Sequence, residues 1–111
     1  VEAGSRRGVA VKVILETCCR TLEQIRKSTQ VCAAAGAAFV KTSTGFAAAG
    51  ASEEAVRAML EAADGRIKVK ASGGIRDYAA AKRYVDLGVD RLGVGFGSTA
   101  VICQGEADAC Q

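Results

Sequence analysis

The stretch Phe39–Phe46, "FVKTSTGF", joins a short apolar run to a lysine and then to a turn rich in hydroxyl groups. The apolar run predicts a buried strand, and Lys41 ends it. Burying an ammonium group costs several kcal/mol unless the charge is compensated or the proton is lost. Lys41 is therefore either a side chain that reaches out to water or a functional amine.

The same pattern recurs along the chain. Apolar runs rich in β-branched residues occur at "VAVKVILET", "IKVKAS" and "RLGVGF", and helical periodicity fills the segments between the runs. With Val13, Val40, Val69 and Leu92 as strand centres, the runs recur at the spacing of βα units. Nearly continuous apolar strands joined by crossover helices predict a parallel sheet covered by helices.

Each intervening segment has one apolar stripe and a residue suited to cap a helix. Thr21 and Gln24 match the capping-box pattern, and Ser52 and Asp77 are the expected N-caps of the next two helices. The expected buried positions are Leu22, Ile25, Thr29 and Cys32 in the first helix, Val56, Met59, Leu60 and Ala63 in the second, and Ala81, Tyr84, Val85 and Gly88 in the third.

Two α/β architectures fit this pattern, the doubly wound sheet and the (β/α)8 barrel. A barrel typically needs about 250 residues, so the four units of this chain of 111 residues fill half of one. We expect one domain over residues 1–111, with residues 100–111 as a tail.

Composition and charge exclude several classes of protein. The chain is 50% hydrophobic and 24% charged, as in globular domains. A net charge of +3 spread along the chain and 5% aromatic residues argue against nucleic-acid binding. No apolar run approaches the roughly 20 residues of a membrane span, and the start lacks a secretory signal. We expect a cytoplasmic protein with no membrane partner.

The chain has five cysteines and no histidine. The cysteines form no CxxC pair, which predicts reduced thiols, some of them small core residues, and no metal site. Without histidine, the commonest general base is absent, so any chemistry falls to lysine, carboxylates, tyrosine or thiols.

Unusual residues collect where the predicted strands end, the place where α/β proteins build their sites. Lys41 and Lys70 end the second and third strands. If both ammonium groups point into one opening at the carboxyl ends of the strands, which we call the mouth, their repulsion favours a neutral, nucleophilic amine suited to Schiff-base chemistry. The segment "SGGIRD" resembles a phosphate cradle, although such glycines often only make a turn.

The runs "VKVILET", "AGAAFVKTSTGF", "VKASGGIRD" and "DRLGVG", in this order and at these distances, closely resemble the second half of deoxyribose-phosphate aldolases. The resemblance implies units five to eight of a (β/α)8 barrel. By this resemblance, Lys41 matches the lysine that forms the Schiff base, and Lys70 matches a second lysine that keeps the Schiff-base lysine reactive. Residues matched to binding of the substrate or its phosphate are Thr44, Gly45, Gly73, Gly74, Arg76, Gly93, Gly95 and Ser98.

The resemblance implies reversible cleavage of 2-deoxyribose 5-phosphate to glyceraldehyde 3-phosphate and acetaldehyde through an iminium. It implies no cofactor and no metal, because the iminium is the electron sink that zinc supplies in other aldolases. The partner is a small phosphorylated sugar, with a homo-oligomer or a complementary half-barrel as the assembly.

The chain departs from the family's pattern. The aspartate that assists proton transfer lies in the family's first half and has no match here, and "VEAGSRRGVA" resembles the end of a helix that leads into the fifth strand. The family places two adjacent serines after the glycine of the last strand, whereas this chain reads Gly93, Val94, Gly95, Phe96, and Ser98 is the candidate to supply a lost hydroxyl. Two alternatives stay open. One is an incomplete fragment that assembles through unpaired edges and an apolar inner face, and the other is a phosphate-binding half-barrel without aldol chemistry.

Overall fold

The computed structural model describes all 111 residues as alternating helices and strands. A single 3-10 turn, Thr17–Cys19, follows the first strand. The elements are α1 (Glu2–Ser5), β1 (Lys12–Ile14), α2 (Leu22–Ala34), β2 (Phe39–Lys41), α3 (Glu53–Ala63), β3 (Lys68–Ser72), α4 (Tyr78–Leu87), β4 (Arg91–Gly93) and α5 (Phe96–Ala109).

The four strands form one parallel sheet in the order β1-β2-β3-β4. Val13 lies opposite Val40, and Val40 lies opposite Val69, as expected of strand centres. Leu92 lies opposite Ala71 rather than Val69, so β4 is displaced along β3. A strand order that follows the chain order, with a stagger between strands, is the pattern of a barrel wall and not of a doubly wound sheet.

The hydrophobic core lies between the outer face of the sheet and the helices. Val40 and Val69 are fully buried there, as is Met59 of α3. A second cluster joins Val56 and Tyr84 to the end of β3. In β1 the half-buried Val13 lies between two exposed residues, and in β3 the buried Val69 lies between two more accessible lysines. The helices therefore cover one face of the sheet, and the chain folds as a parallel (βα)4 half of a barrel.

The predicted helix caps are confirmed. Thr21 and Gln24 form both bonds of the capping box, and the side chains of Ser52 and Asp77 accept from the third residue of their helices. The predicted stripes are buried or half-buried with two exceptions, both in α4 or at its end. Gly88, the C-cap of that helix, is exposed. Val85 is 55% exposed and lies beside a groove between α4 and α5.

The inner face of the sheet differs from the expected apolar surface. It carries the side chains that alternate with the core residues, and most of them are basic. The inner-face residues of the four strands are Lys12, Ile14, Phe39, Lys41, Lys68, Lys70, Ser72, Arg91 and Gly93. The expectation of an apolar inner face is therefore wrong, because only Ile14 and Phe39 among them have large apolar side chains.

Most of the segment 100–111, which the sequence suggests is a tail, lies in helix α5. This helix has no buried residue, and it packs on α4 through half-buried positions such as Ile102 and Gly105. None of the helices is both long enough and apolar enough to cross a membrane.

The burial of Val56 generates the first prediction. Val56→Ala removes two methyl groups from a fully buried site and should lower the free energy of unfolding by about 2 kcal/mol. Val31→Ala is the matched control, since Val31 is 57% exposed on α2 and its loss should cost less than about 0.5 kcal/mol. Urea unfolding followed by circular dichroism measures both, and equal losses would contradict the core described here.

Candidate active site

The lysines singled out in the sequence are neighbours in the sheet. Lys41 is the last residue of β2 and lies opposite Lys70 of β3 in the parallel register. Lys70 does not end its strand as expected, because β3 continues to Ser72. Both side chains are half-buried and project from the inner face. The fold therefore brings two amines to one mouth, at the carboxyl ends of the strands.

The environment of Lys70 favours its neutral form. Burial lowers the pKa of the Lys70 ammonium, and the positive charges of Lys12, Lys41 and Arg91 lower that pKa further. Gly93 on the adjacent strand makes room for the side chain, because a Cβ at Gly93 would lie 3.0 Å from Cε of Lys70. The missing side chain at Gly93 thus leaves space for the Cε end of the Lys70 side chain.

Buried hydroxyl groups join β2 to β3 just beyond the lysines. Thr42 donates to the carbonyl oxygen of Ser72 at 3.0 Å and accepts from the Ser72 backbone N–H at 3.0 Å. Ser72 donates to the carbonyl oxygen of Ser43 at 2.9 Å, and Ser43 donates to Thr42 at 3.1 Å. All three side chains are buried. Since each hydroxyl has its partner inside the protein, this network fixes the strand ends that carry the amines.

A glycine-lined cleft of about 300 Å³ opens at the same end of the sheet. Gly45, Gly73 and Gly74 have φ angles of 99°, 90° and 78°, which favour glycine. Gly50 packs directly on Gly73, because a Cβ at Gly50 would lie 2.3 Å from the Gly73 carbonyl. The residues lining this cleft are Gly45, Ala47, Ala48, Ala49, Gly50, Gly73, Gly74 and Arg76.

Thr44 has a different partner from the one expected. Its hydroxyl donates to the Glu16 carboxylate at 2.5 Å, and its backbone N–H donates to the same carboxylate at 3.3 Å. The Thr44 hydroxyl also accepts from the N–H of Phe46 at 3.2 Å. With both of its donors bound to Glu16, Thr44 orders the loop after Lys41 and has no donor free for an anion in this conformation.

The remaining predicted residues lie near β4 and the start of α5. Gly93 contacts Lys70 and Ser72, whereas Gly95 and Ser98 do not line the glycine cleft. Gly95 is the N-cap of α5 and has no side-chain cap bond, while Asp77 caps the helix that follows Arg76. The structure therefore brings together Gly45, Gly73, Gly74 and Arg76, with the lysine pair and Gly93 alongside.

Sequence reasoning missed the residues that support the site. Glu16 has a left-handed backbone with φ 52° and ψ 64°, which is uncommon outside glycine. It directly follows the apolar end of "VKVIL", as Lys41 follows the apolar end of "AFV", so its position after a predicted strand was a usable signal. The roles of Thr42 and Ser72 carry no such signal, because a buried hydroxyl network depends on which strands are neighbours.

No group of histidine, cysteine and carboxylate side chains in the chain is arranged to hold a metal ion. All five cysteines are free, and four of them are exposed. Cys32 is half-buried, and burial raises the pKa of its thiol.

Comparison with curated proteins finds deoxyribose-phosphate aldolases. The chain is 47% identical over 109 residues to the enzyme of an Exiguobacterium species, which covers 98% of this chain and 48% of the relative. It is 51% identical over 86 residues to the enzyme of Aquifex aeolicus, covering 78% of this chain and 39% of the relative. The chain thus spans about half the length of these relatives. No protein-family model matches it.

Solved structures agree with the sequence relatives. A protein described as "QR15, an Aldolase" superposes with a TM-score of 0.83 and 44% identity, over 92% of this chain and 45% of that one. The tetrameric deoxyribose phosphate aldolase of Aeropyrum pernix superposes with a TM-score of 0.84 and 30% identity, over 97% of this chain and 46% of that one. Along nearly all of its length, the chain is therefore homologous to the C-terminal half of the deoxyribose-phosphate aldolases.

Proposed function

We propose that the chain is the Schiff-base half of a deoxyribose-phosphate aldolase, a lyase that reversibly cleaves 2-deoxyribose 5-phosphate to glyceraldehyde 3-phosphate and acetaldehyde. The observation that carries the proposal is the Lys41–Lys70 pair, in register on adjacent strands, beside a glycine cleft at the same end of the sheet. The aldolase relatives support it.

Lys41 is the proposed nucleophile. Its amine adds to the aldehyde carbon of the open-chain sugar, and loss of water gives an iminium. The iminium accepts electrons as the bond between the second and third carbons breaks, the hydroxyl on the third carbon loses its proton, and glyceraldehyde 3-phosphate leaves. The remaining enamine gains a proton on carbon, and water then releases acetaldehyde and the free amine.

Lys70 is proposed to keep that amine reactive. When it carries its proton, Lys70 repels a second positive charge on the neighbouring strand, and this repulsion opposes an ammonium group beside it. Gly93 leaves room for the Cε end of the Lys70 side chain. Proton transfer at the sugar hydroxyl is not assigned to this chain, since the family's aspartate has no match in it.

The glycine cleft is the proposed phosphate site. Backbone N–H groups beside glycines of positive φ form concavities that bind anions, and Arg76 adds a guanidinium group. The basic inner face raises the local concentration of an anionic sugar phosphate. A phosphate-binding half-barrel without aldol chemistry would keep this cleft but would not need Lys41. The free thiols fit a reducing cytoplasm.

The covalent role of Lys41 is tested by trapping. The chain, co-produced with the N-terminal half of the Exiguobacterium relative, is incubated with acetaldehyde, reduced with borohydride and digested for mass spectrometry. We expect an ethyl adduct on Lys41 that Lys41→Arg abolishes. Lys68→Arg, a change at an exposed lysine on the same face, should leave the adduct in place. An adduct on Lys70 would make Lys70 the nucleophile and Lys41 the supporting amine. Adducts on surface lysines alone would refute the proposed Schiff base on Lys41.

The role of Lys70 is tested by the pH dependence of cleavage in the same preparation. Lys70→Leu removes a positive charge from the strand beside Lys41 and should move the rise in rate to higher pH by about one unit, because the repulsion that opposes a second ammonium group is lost. Lys70→Arg keeps the charge and should leave the position of the profile near that of the unchanged chain. If Lys70→Leu altered KM alone, Lys70 would be a binding residue.

Gly93 is tested by adding a methyl group. A Cβ at Gly93 would lie 2.5 Å from Cβ of Ser72 and 3.0 Å from Cε of Lys70. Gly93→Ala should therefore displace the end of β3 and the Lys70 side chain and lower the rate of adduct formation about tenfold, an effect equal to about 1.4 kcal/mol. Gly95→Ala lies two residues further on, at the N-cap of α5, where a Cβ meets nothing within 4 Å, and it should change the rate little. Equal effects of the two changes would show that the conformation of the connection between β4 and α5, and not the room beside Lys70 and Ser72, matters.

A further inference from the structure

Two exposed thiols lie side by side just past the end of β1. Cys18 and Cys19 belong to the 3-10 turn Thr17–Cys19, and their Sγ atoms lie 3.8 Å apart. Among the five cysteines of the chain, no other two have their sulfur atoms in contact. Both residues are exposed, and neither lines the glycine cleft. This pair, which we call the dithiol, is therefore accessible to small reagents from solvent.

The turn itself brings the two sulfur atoms together. Consecutive side chains of an extended strand point to opposite faces, but here the chain turns tightly. The Cys19 N–H donates to the carbonyl oxygen of Glu16 at 3.0 Å, and the Arg20 N–H donates to the carbonyl oxygen of Thr17 at 3.1 Å. A sulfur that is oxidised in this turn consequently has a second thiol in contact with it and needs no other molecule to form a disulfide.

The proton of Cys19 is held by its neighbour. A hydrogen bond with Cys18 raises the pKa of the Cys19 thiol, and the charge of a Cys18 thiolate raises that pKa further. Because the thiolate is the form that attacks an oxidant, Cys19 reacts slowly while Cys18 lies beside it. This arrangement suits Cys18 to the first attack on an oxidant and Cys19 to the second attack, on the oxidised sulfur.

We propose that the dithiol is a peroxide-reactive site that closes to a disulfide between Cys18 and Cys19. The Cys18 thiolate attacks one oxygen of hydrogen peroxide, the O–O bond breaks, and the other oxygen leaves as hydroxide and takes up a proton to become water. The Cys19 sulfur then attacks the sulfur of the resulting sulfenic acid, and its proton leaves with the displaced hydroxyl as a second water. The dithiol thus loses two electrons and two protons, and the peroxide gains them.

A disulfide between consecutive residues cannot form without a change in this turn. Consecutive Cα atoms lie about 3.8 Å apart across a trans peptide, whereas those of most disulfides lie about 4.4–6.8 Å apart. Glu16 precedes the turn with a left-handed backbone, and its carboxylate accepts from the hydroxyl and the N–H of Thr44. Thr17 donates from its N–H to the carbonyl oxygen of Thr42 at 2.9 Å. Closing the disulfide therefore disturbs the contacts that hold the loop after Lys41.

The same strain makes the modification reversible. Strained and exposed disulfides are readily reduced. In reducing compartments, protein disulfides are usually transient and often sense oxidants. We therefore expect the closed form to persist only while peroxide is present. The proposal does not rest on the role given to Lys41.

The disulfide is tested by mapping. The chain, co-produced with the N-terminal half of the Exiguobacterium relative, is treated with hydrogen peroxide, alkylated with iodoacetamide and digested for mass spectrometry. We expect the peptide that carries Cys18 and Cys19 to lose two hydrogen atoms and escape alkylation, and dithiothreitol should restore it. Cys103 and Cys110, exposed on α5 without a sulfur partner, are the controls and should form no internal disulfide. A dithiol that stays open to alkylation, or that passes only to sulfinic acid, would overturn the proposal.

The order of attack is tested with dimedone, which traps sulfenic acids. In the unchanged chain the trapped residue should be Cys18. Cys19→Ser removes the second thiol and should raise the yield of that adduct at least about fivefold, because the sulfenic acid can no longer condense with its neighbour. Cys103→Ser, a matched change at an exposed thiol, should leave the yield unchanged. An adduct on Cys19 in the unchanged chain would contradict the assigned order.

The effect on the loop is measured by hydrogen exchange. The N–H groups of Thr44 and Phe46 should exchange at least about tenfold faster after oxidation, because the Glu16 contact and the bond from Phe46 to Thr44 are weakened. The N–H of Val56, buried in α3, is the internal control and should not change. The chain with Cys18→Ser and Cys19→Ser should show no response to peroxide at the loop. A disulfide that forms while the loop exchanges as before would refute the coupling between the dithiol and the loop.

Discussion

The register between β2 and β3 is the constraint on which the rest of the site depends. It places Lys41 directly beside Lys70 on a surface that the helices leave uncovered. A slip of one residue would turn one of the two amines toward the helices, where Val40 and Val69 now fill the core. The buried bonds between Thr42 and Ser72 lie just past the lysines and oppose such a slip. Core packing and site geometry are therefore set by the same strand pairing.

Polar residues hold the chain in place on both sides of the Lys41–Lys70 pair. Glu16, two residues after the end of β1, binds Thr44 in the loop that follows Lys41, and the backbone N–H of Ala51 donates to the carbonyl oxygen of Ser72 at the end of β3. The Tyr84 hydroxyl of α4 donates to the Ala51 carbonyl at 3.0 Å. The loops that follow β1 and β2 are thus tied to neighbouring units, which limits the freedom of the glycines without filling the cleft.

Much of this arrangement could be predicted from the sequence because it depends on local patterns. The caps at Thr21, Ser52 and Asp77 follow from residue type and spacing, and the strand centres follow from apolar runs. The basic character of the inner face could not be predicted from such local patterns. In "VKVIL" and "IKVKA" the lysines interrupt apolar runs, and only the strand pairing shows that they share one surface. The partner of Thr44 was also out of reach, since Glu16 is distant in the chain.

The strand order has a consequence for how such a site arises. Strands that pair in the sheet are also consecutive along the chain. The hydrogen bonds that shape the mouth therefore join residues only 28 to 30 positions apart in the sequence. Contacts of modest sequence separation form early and require little of the remaining chain. The lysine pair is consequently encoded in one short, uninterrupted stretch that ends by residue 72. A gene that is split, fused or shuffled at its middle would carry the reactive amines as an intact unit.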